Sequence, residues 1–303
     1  MKNKTTFPFI CALLAVILWG FNFNVGKILV GHFSSLSLAL IRFGFSFILV
    51  FPLVCIFPKT PDLWTKLKTK FWSYLLVTMV GMLGYSYFFF EGLKSTTPVN
   101  ASLIMATNPA LTMLIATVFL KEMMNISQRF GAMLSLLSIS VVITGGSWHD
   151  VVHMHWNIGD LIVFLANLCW ALFNIFSKRY LSDMPSLVTT AVTMCMGSIV
   201  LVGIQGDVAS IYHGLLHQSL LVYLALIYMV VFGTVLPYLF WNHGVSLLGA
   251  SQAAIFLNLM PVVPTLMAVI MGQTISMVQL LGGAGVIIGV LLTMNVLRPS
   301  AFL

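Results

Sequence analysis

Residues 92–109 read GLKSTTPVNASLIMATNP, and residues 244–261 read GVSLLGASQAAIFLNLMP. The two stretches share their first glycine and their last proline, at an offset of 152 residues. Further pairs stand at an offset of 151 or 152: Gly131 with Gly283, Trp19 with Trp170, and Lys27 with Lys178. The sequence therefore predicts two copies of one unit, covering residues 1–145 and 158–303, with a connecting loop over residues 146–157.

The composition places both copies in a membrane. The chain of 303 residues is 60% hydrophobic and 7% charged, with a mean hydropathy of +1.05, which no soluble domain of this size needs. Each copy carries five apolar segments of about 20 residues, the length that crosses a bilayer as a helix. Numbered 1 to 10 in chain order, they cover residues 8–28, 35–57, 72–92, 98–119, 127–145, 158–178, 185–204, 219–242, 250–271 and 277–297.

An odd number of crossings in each copy has a geometric consequence. The second copy must enter the membrane from the opposite side and lie upside down relative to the first. Two inverted repeats related by an axis in the membrane plane are typical of secondary transporters. The sequence thus predicts an all-α membrane protein with ten transmembrane helices in two inverted five-helix repeats.

The positive residues predict the orientation. With the amino terminus in the cytoplasm, eleven Lys and Arg residues lie at the cytoplasmic face and only Lys94 lies clearly in an outer loop. We therefore expect a cell (inner) membrane protein with both termini cytoplasmic. The basic residues are dispersed over loops, which argues against a nucleic-acid partner. Residues 62–70 are expected to form a short helix at the membrane surface.

Polar side chains inside apolar segments are costly to bury in lipid, so the polar residues of these segments are candidate site residues. Segment 1 carries Trp19 and Asn22, and segment 6 carries Trp170 and Asn174 at related positions, each pair on one helix face. Such a stripe lines a wet cavity or, in the alternative, joins helices through amide hydrogen bonds.

Prolines interrupt segments 4 and 9 near equivalent positions. Asn108 precedes Pro109, and Asn258 stands three residues before Pro261. A proline within a helix frees a carbonyl one turn earlier, which protein, water or a substrate must satisfy. We expect both breaks to line the cavity; the alternative is a kink that only improves packing.

Glu91 is the one acid well inside an apolar segment. It follows Tyr87 by one helical turn, and the related part of segment 8 carries Tyr238 and Trp241. Glu91 is interpreted as a proton carrier, as an attractor for a cationic substrate group or, the favoured alternative, as a member of an ion pair with Arg42, Lys27 or Lys94.

Other functional classes find little support. His149, Asp150, His153 and His155 resemble a metal cluster, but without a cysteine or a second acidic group a solvated loop is expected. No nucleophile is matched to a base, which argues against an intramembrane enzyme, and no filter loop suggests a channel. No cofactor and no metal are expected.

These residues carry a resemblance to a known family. The order of the motifs across two repeats resembles the EamA family of the drug/metabolite transporter superfamily, through Trp19-Gly20, Arg42, Asn108-Pro109, Leu120-Lys121-Glu122 and Gln128-Arg129-Phe130-Gly131. The resemblance implies ten helices, cytoplasmic termini and transport of small metabolites, often export of amino acids.

The combined prediction is a secondary transporter that moves a small-molecule substrate by alternating access. We expect the substrate to be an amino acid or a related amine and the direction of transport to be export. A nucleoside-like or other cofactor metabolite is the alternative substrate. The protein is expected to lie in the lipid bilayer as a monomer or loose dimer. The predicted substrate-binding residues are Trp19, Asn22, Tyr87, Asn108, Trp170, Asn174, Tyr238, Trp241 and Asn258, with Glu91 and Arg42 as the coupling group or ion pair.

Overall fold

A computed structural model describes residues 6–56, 62–121, 123–143, 157–206, 208–248 and 255–293. Throughout these ranges the regular structure is helical, and they contain no strand, which confirms the predicted all-α class. The expected connecting loop over residues 146–157 lies almost wholly outside the described ranges, as does its histidine group.

The helices of the first half follow the predicted segments closely. Their bounds are Thr6–Leu29 for segment 1, Ser35–Ile56 for segment 2, Phe71–Ser95 for segment 3, Pro98–Ala106 with Asn108–Phe119 for segment 4, and Ile126–Ile143 for segment 5. The short helix expected at the membrane surface is present as Leu63–Thr69, with Trp64 exposed.

The second half repeats this arrangement and adds one short helix, Val208–Leu215, that was not predicted. The bounds are Ile158–Tyr180 for segment 6, Ser186–Gln205 for segment 7, Leu220–Ile227 through Leu236–Leu248 for segment 8, Ile255–Leu259 with Val262–Ile270 for segment 9, and Met277–Thr293 for segment 10.

Eight of these helices, segments 1 to 8, are long and apolar enough to cross a membrane. Segment 10 is described only as far as Thr293, over 17 residues that rise about 26 Å. Segment 9 is described only from Ile255 onward. The chain is therefore a multi-pass membrane protein, and the count of ten crossings stays a prediction.

The packing of the segments has two-fold character. Segment 1 packs along segment 8, and segment 6 packs along segment 3 in the related place. Segment 2 packs on segment 7, and segment 5 on segment 10. Exchanging the two halves converts this set of contacts into itself, which is the pattern that two repeats about a pseudo-two-fold axis produce.

Small residues set the distance at two of these contacts. A Cβ on Gly92 would lie 2.6 Å from Cγ2 of Val163 and 2.8 Å from the carbonyl oxygen of Gly159. Gly244 holds the related place in the second repeat, where a Cβ would lie 3.3 Å from Ala12. Small residues let helix backbones approach closely within lipid, where hydrophobic burial does not drive association.

Segments 3 and 8 each contain a stretch of wide, π-helical turns at the related place. These stretches are Thr78–Gly84 and Tyr228–Val235. Such turns are rare and occur often at functional sites, because they rotate the following side chains relative to a regular helix. Here each is followed closely by a tyrosine, Tyr85 or Tyr238, that faces the centre of the bundle.

Candidate functional site

A small cavity of about 50 Å³ lies between the two repeats. Segments 1 to 4 and segments 6, 8 and 9 all contribute to it. Its walls are Trp19, Asn22, Phe23, Arg42, Tyr85, Phe89, Met105, Trp170, Tyr238, Leu257 and Met260. The cavity is too small for a metabolite in this conformation, so helices or side chains must move before one can enter.

Two larger clefts, of about 340 and 410 Å³, lie against segment 2. Their walls are almost wholly apolar, and Phe45 and Ile48 belong to both and are more than half exposed. Apolar clefts of this kind on the outside of a bundle suit acyl chains of the bilayer. The central cavity, with a cation and an amide in its wall, is therefore the better candidate site.

Aromatic rings form a continuous arc around the cavity. The ring of Trp170 lies 5.1 Å from that of Tyr85 and 6.3 Å from that of Tyr238, centroid to centroid. Tyr238 in turn lies 5.8 Å from Trp19, and Trp19 lies 5.5 Å from Trp241 behind it. Rings at these distances and tilts pack favourably, so the arc is a preformed apolar surface.

Arg42 points into this arc from segment 2, about 10 Å from the start of that helix at Ser35. Only 3% of its surface is exposed. Its Nε donates a hydrogen bond of 2.8 Å to Oγ1 of Thr234, and Thr234 donates to the carbonyl of Met229 within the π-helical stretch. Its guanidinium carbon lies 5.9 Å from the ring centre of Tyr85.

Asn22 is the second polar group of the cavity wall and is also buried. Its amide packs against Gly233 so closely that a Cβ there would collide with Oδ1. Within the described ranges no hydrogen-bond donor reaches that oxygen. A buried oxygen without a partner is available to a ligand.

Asn108 and Asn174, predicted in the same site, lie elsewhere. Asn108 donates to the carbonyl and to Oδ1 of Asn167, at 3.2 and 2.8 Å, and its own Oδ1 accepts from Asn174 and Thr112. Asn167 donates to the carbonyl of Ile104 in the broken part of segment 4. These amides thus join segments 4 and 6, as the alternative interpretation had it, and none of them is among the cavity walls.

The breaks at the two prolines still reach the cavity through their neighbours. Segment 4 is interrupted at Thr107 and segment 9 at Met260 and Pro261. Met105 and Met260 line the cavity, while the carbonyl of Ile104 is satisfied by Asn167. The broken part of segment 4 thus bonds to segment 6, and Met105 and Met260 present their side chains to the cavity.

The remaining predicted site residues lie in different places. Trp241 supports Trp19 from behind. Tyr87 is 38% exposed, packs on Phe88 and lies away from the cavity. Asn258 lies in the Ile255–Leu259 turn, and its side chain falls outside what the structure describes.

Of the three ion-pair partners expected for Glu91, the structure pairs it with Lys94 and not with Arg42 or Lys27. Glu91 accepts hydrogen bonds of 2.6 Å from Lys94 and from Ser35 at the outer end of segment 3. Arg42 is separated from it and belongs to the cavity. Lys27, another expected partner, donates instead to the carbonyls of Leu93, Lys94 and Thr96, at 2.7, 3.1 and 2.8 Å. A lysine at the carboxyl end of a helix satisfies carbonyls that have no helical partner.

A second polar cavity, of about 450 Å³, opens at the ends of segments 1, 4 and 9 that the predicted topology places outside the cell. Asn24 and Pro264 belong to its wall, one residue and one turn beyond the central cavity residues Phe23 and Met260. Ser95, Thr97 and Gln273 complete its polar rim. We refer to it as the outer pocket.

Among the cavity residues that the sequence did not place in the site, Tyr85 and Arg42 are the two that carry polar groups. Tyr85 is hidden among the aromatic residues 85–90, where only the wide turns select which ring faces inward. Arg42 carried a detectable signal: it is a lone cation two helical turns inside an apolar segment, a position that is expensive unless it serves a function. As for metals, the described ranges hold no group of three His, Cys, Asp or Glu side chains that could bind one.

Comparison with known proteins agrees with this architecture. The family model of the EamA-like transporter family matches twice, over residues 6–144 and 157–295. A Bacillus subtilis protein named as the uncharacterised transporter YyaM is 36% identical over 286 residues, covering 93% of this chain and 92% of its own. A Salmonella typhimurium protein named as a probable amino-acid metabolite efflux pump is 26% identical, covering 92% and 91%.

A solved crystal structure shares the fold, with a TM-score of 0.60 and coverage of 96% of this chain and 97% of the other at 16% identity. The helices, the two matches of one family model and the named relatives all point to a transporter of small molecules in a membrane rather than to an enzyme. The chain belongs to the EamA-like transporter family.

Proposed function

We propose that the protein is a secondary transporter that moves an amino acid or a related amine across the cytoplasmic membrane by alternating access. The observation that carries this proposal is the central cavity, where both repeats place aromatic rings around one cation and one amide. We further propose that the protein exports its substrate, has both termini in the cytoplasm and works as a monomer or loose dimer.

The cavity wall has the chemistry of a small amphipathic substrate. Trp19, Trp170 and Tyr238 offer ring faces to an apolar side chain, and a cationic amine is attracted to the same faces. The free Oδ1 of Asn22 accepts a hydrogen bond from an amine. The relative named as an amino-acid metabolite efflux pump supports both the substrate class and the direction.

The small volume of the cavity supports alternating access. With about 50 Å³ of free volume, the site cannot hold a metabolite in this conformation, and the outer pocket begins one helical turn away along segment 9. Rocking of one repeat against the other, about the close glycine contacts of segments 3 and 6, would join the two spaces. A fixed central site that opens to either side in turn is the general scheme of inverted-repeat carriers.

Transport by reconstituted protein tests the proposal. Proteoliposomes would be offered a panel of labelled amino acids, amines and nucleosides, with and without a pH gradient. We expect saturable uptake of at least one amino acid or amine and its loss in Trp170→Ala, which removes the centre of the arc. Trp72→Ala is the matched control, because Trp72 lies on segment 3 with 76% of its surface exposed. Uptake of nucleosides alone would favour the alternative, since flat rings stack on aromatic side chains.

A further inference from the structure

Among the residues that the structure describes, Arg42 is a buried charge without a counter-ion. Four acids fall within the described ranges: Glu91 is bonded to Lys94 and Ser35, Asp160 to Thr96 and Asn100, Asp183 to Lys70, and Asp62 stands at the start of the short surface helix. None of these four carboxylates lies within ion-pair distance of Arg42. A guanidinium stays protonated in proteins, so the charge is not removed by titration.

The hydrogen bonds of Arg42 are also incomplete. Its Nε is occupied by Thr234, and Tyr85 lies beside the guanidinium. Its Nη1 is buried and has no acceptor anywhere in the described part of the chain. An arginine presents its donors as a planar fork that matches the two oxygens of a carboxylate. Arg42, a residue of the cavity wall, therefore has its Nε fixed by the protein and its Nη1 without an acceptor in the described ranges.

The cavity offers a cation without any acid beside it. Its remaining walls are rings, methionines and leucine, apart from the amide of Asn22. A substrate carboxylate would gain a charge-assisted contact in a site that excludes water, where such a contact is strong. The cavity wall holds no carboxylate that could pair with an amine, so an amine can contact only the aromatic rings and the oxygen of Asn22.

We propose that Arg42 is the anchor for a substrate carboxylate and that the cavity selects carboxylates with an apolar body, with or without an amino group. This inference rests on the proposed function and narrows its substrate class, since it excludes amines that lack a carboxylate. Thr234 is a positioning residue, because its hydroxyl holds Nε and so aims the fork.

Matched ligands test the anchor in the full-length protein. The probes are L-phenylalanine, 3-phenylpropionate and phenethylamine, which share one ring, and L-leucine, 4-methylpentanoate and isopentylamine, which share one aliphatic body. Thermal stabilisation of purified protein gives binding, and competition against proteoliposome uptake gives function. We expect the amino acid and the acid of at least one set to bind, and both amines to fail.

Variants then assign the effect to Arg42. Arg42→Gln should weaken carboxylate binding about 10- to 100-fold, as expected for loss of hydrogen bonds to a charged group, while the protein without ligand keeps its melting temperature. Arg42→Lys keeps the positive charge but loses the planar pair of donors, so its affinity for carboxylates should lie between those of the native protein and Arg42→Gln. Arg129→Gln is the control, because Arg129 binds the carbonyl of Met124 outside the cavity.

Each other outcome overturns the anchor. If amines bind as well as acids, the anchor is wrong while transport of an amine still supports the proposed function. If no acid of either set binds, or if chloride stabilises the protein as strongly, Arg42 holds no substrate carboxylate. Retained binding in Arg42→Gln, or a lower melting temperature with binding intact, assigns Arg42 to the fold. Should Arg42→Gln fail to fold, the ligand sets and Thr234→Val decide, since Thr234→Val should weaken the binding of every probe that carries a carboxylate, and unchanged binding would overturn the anchor.

Discussion

At the scale of single residues, the same amide chemistry serves two different purposes. The Oδ1 of Asn22, a residue of the cavity wall, has no described donor. Asn108 instead donates two hydrogen bonds to Asn167 and so joins segments 4 and 6. Both are buried asparagines in the middle of apolar segments. Their difference lies in whether a neighbouring side chain presents a donor to the amide oxygen: Asn174 and Thr112 donate to Oδ1 of Asn108, and no described group donates to Oδ1 of Asn22.

We predict that Asn108→Ala acts mainly on stability. It removes two bonds to Asn167 and leaves the Oδ1 of Asn167 buried without its donor, at a cost of about 1 kcal/mol, the usual scale for such bonds between membrane helices. Asn174→Ala, which loses only a bond of 3.4 Å, is the control and should cost less. Unfolding in detergent measures both. If the two variants were equally stable and only Asn108→Ala lost substrate affinity, Asn108 would belong to the substrate site.

Glu91→Gln should be mild in every respect. Glu91 and Lys94 are both about a third exposed, so their pair is worth about 1 kcal/mol or less, and the glutamine still accepts from Ser35. Because Glu91 lies outside the central cavity, any response of transport to a pH gradient should persist. Lys94→Gln, which removes the other partner, should match it in melting temperature. A folded Glu91→Gln protein that transports without any response to pH would make Glu91 the coupling group.

These residues also show where prediction from sequence ends. Trp19, Asn22, Trp170 and Tyr238 were predicted as site residues from repeat position and helix face, and the structure gathers them around one cavity. Asn108, Asn174 and Tyr87 satisfied the same criteria and lie elsewhere. Position along a helix gives the depth and the face of a side chain, but the neighbour it meets depends on how other helices pack against that face.

At the scale of elements, the helices follow directly from hydropathy, but their irregular turns do not. The wide turns Thr78–Gly84 and Tyr228–Val235 have ordinary apolar sequences, the first with two glycines and the second with one glycine near a close contact. Phe173 fills the space over Gly81, and Asn22 fills the space over Gly233. The turns widen where a side chain of the crossing helix enters, so they are a product of packing between segments rather than of local sequence.

The related glycines of segments 3 and 8 predict unequal mutational costs. In Gly92→Ala, the new methyl group would meet the backbone of Gly159 at 2.8 Å, and backbone cannot turn aside, so segments 3 and 6 must separate. In Gly244→Ala, the contacts with Ala12 and Pro8 at 3.3 Å need only a small shift. We expect Gly92→Ala to lose clearly more stability than Gly244→Ala. Melting temperatures of the two variants measured side by side check this, and a reversed order would mean that the segments are spaced differently.

At the scale of the whole molecule, duplication explains why the repeats resemble each other in outline and differ at the site. Position 22 is asparagine in segment 1, and its counterpart in segment 6 is Phe173. Both lie over the wide turn of the partner segment. One helps to form a polar wall and the other stacks on Trp170 at 5.0 Å. The scaffold has two-fold character, while the cavity it surrounds is asymmetric, which suits the proposed recognition of a small asymmetric metabolite.

Orientation and access to the site can be tested together through Ser95 in the rim of the outer pocket. In a protein whose four native cysteines are replaced by serine, Ser95→Cys should react with a membrane-impermeant maleimide added to intact cells. Lys68→Cys, on the short surface helix among three lysines, should react only after the membrane is permeabilised, because lysine-rich loops remain in the cytoplasm. The opposite pattern would invert the predicted topology.

The same label tests the route through the outer pocket. A bulky maleimide on Ser95→Cys occupies a space of about 450 Å³ one turn beyond the central cavity. If substrate passes there, labelling should abolish transport in proteoliposomes, while ligand-induced thermal stabilisation, which depends on the central cavity, persists. Labelled Lys68→Cys should transport normally, because its helix packs outside both spaces. Full transport by labelled Ser95→Cys would exclude this route. The substrate would then have to cross between other segments.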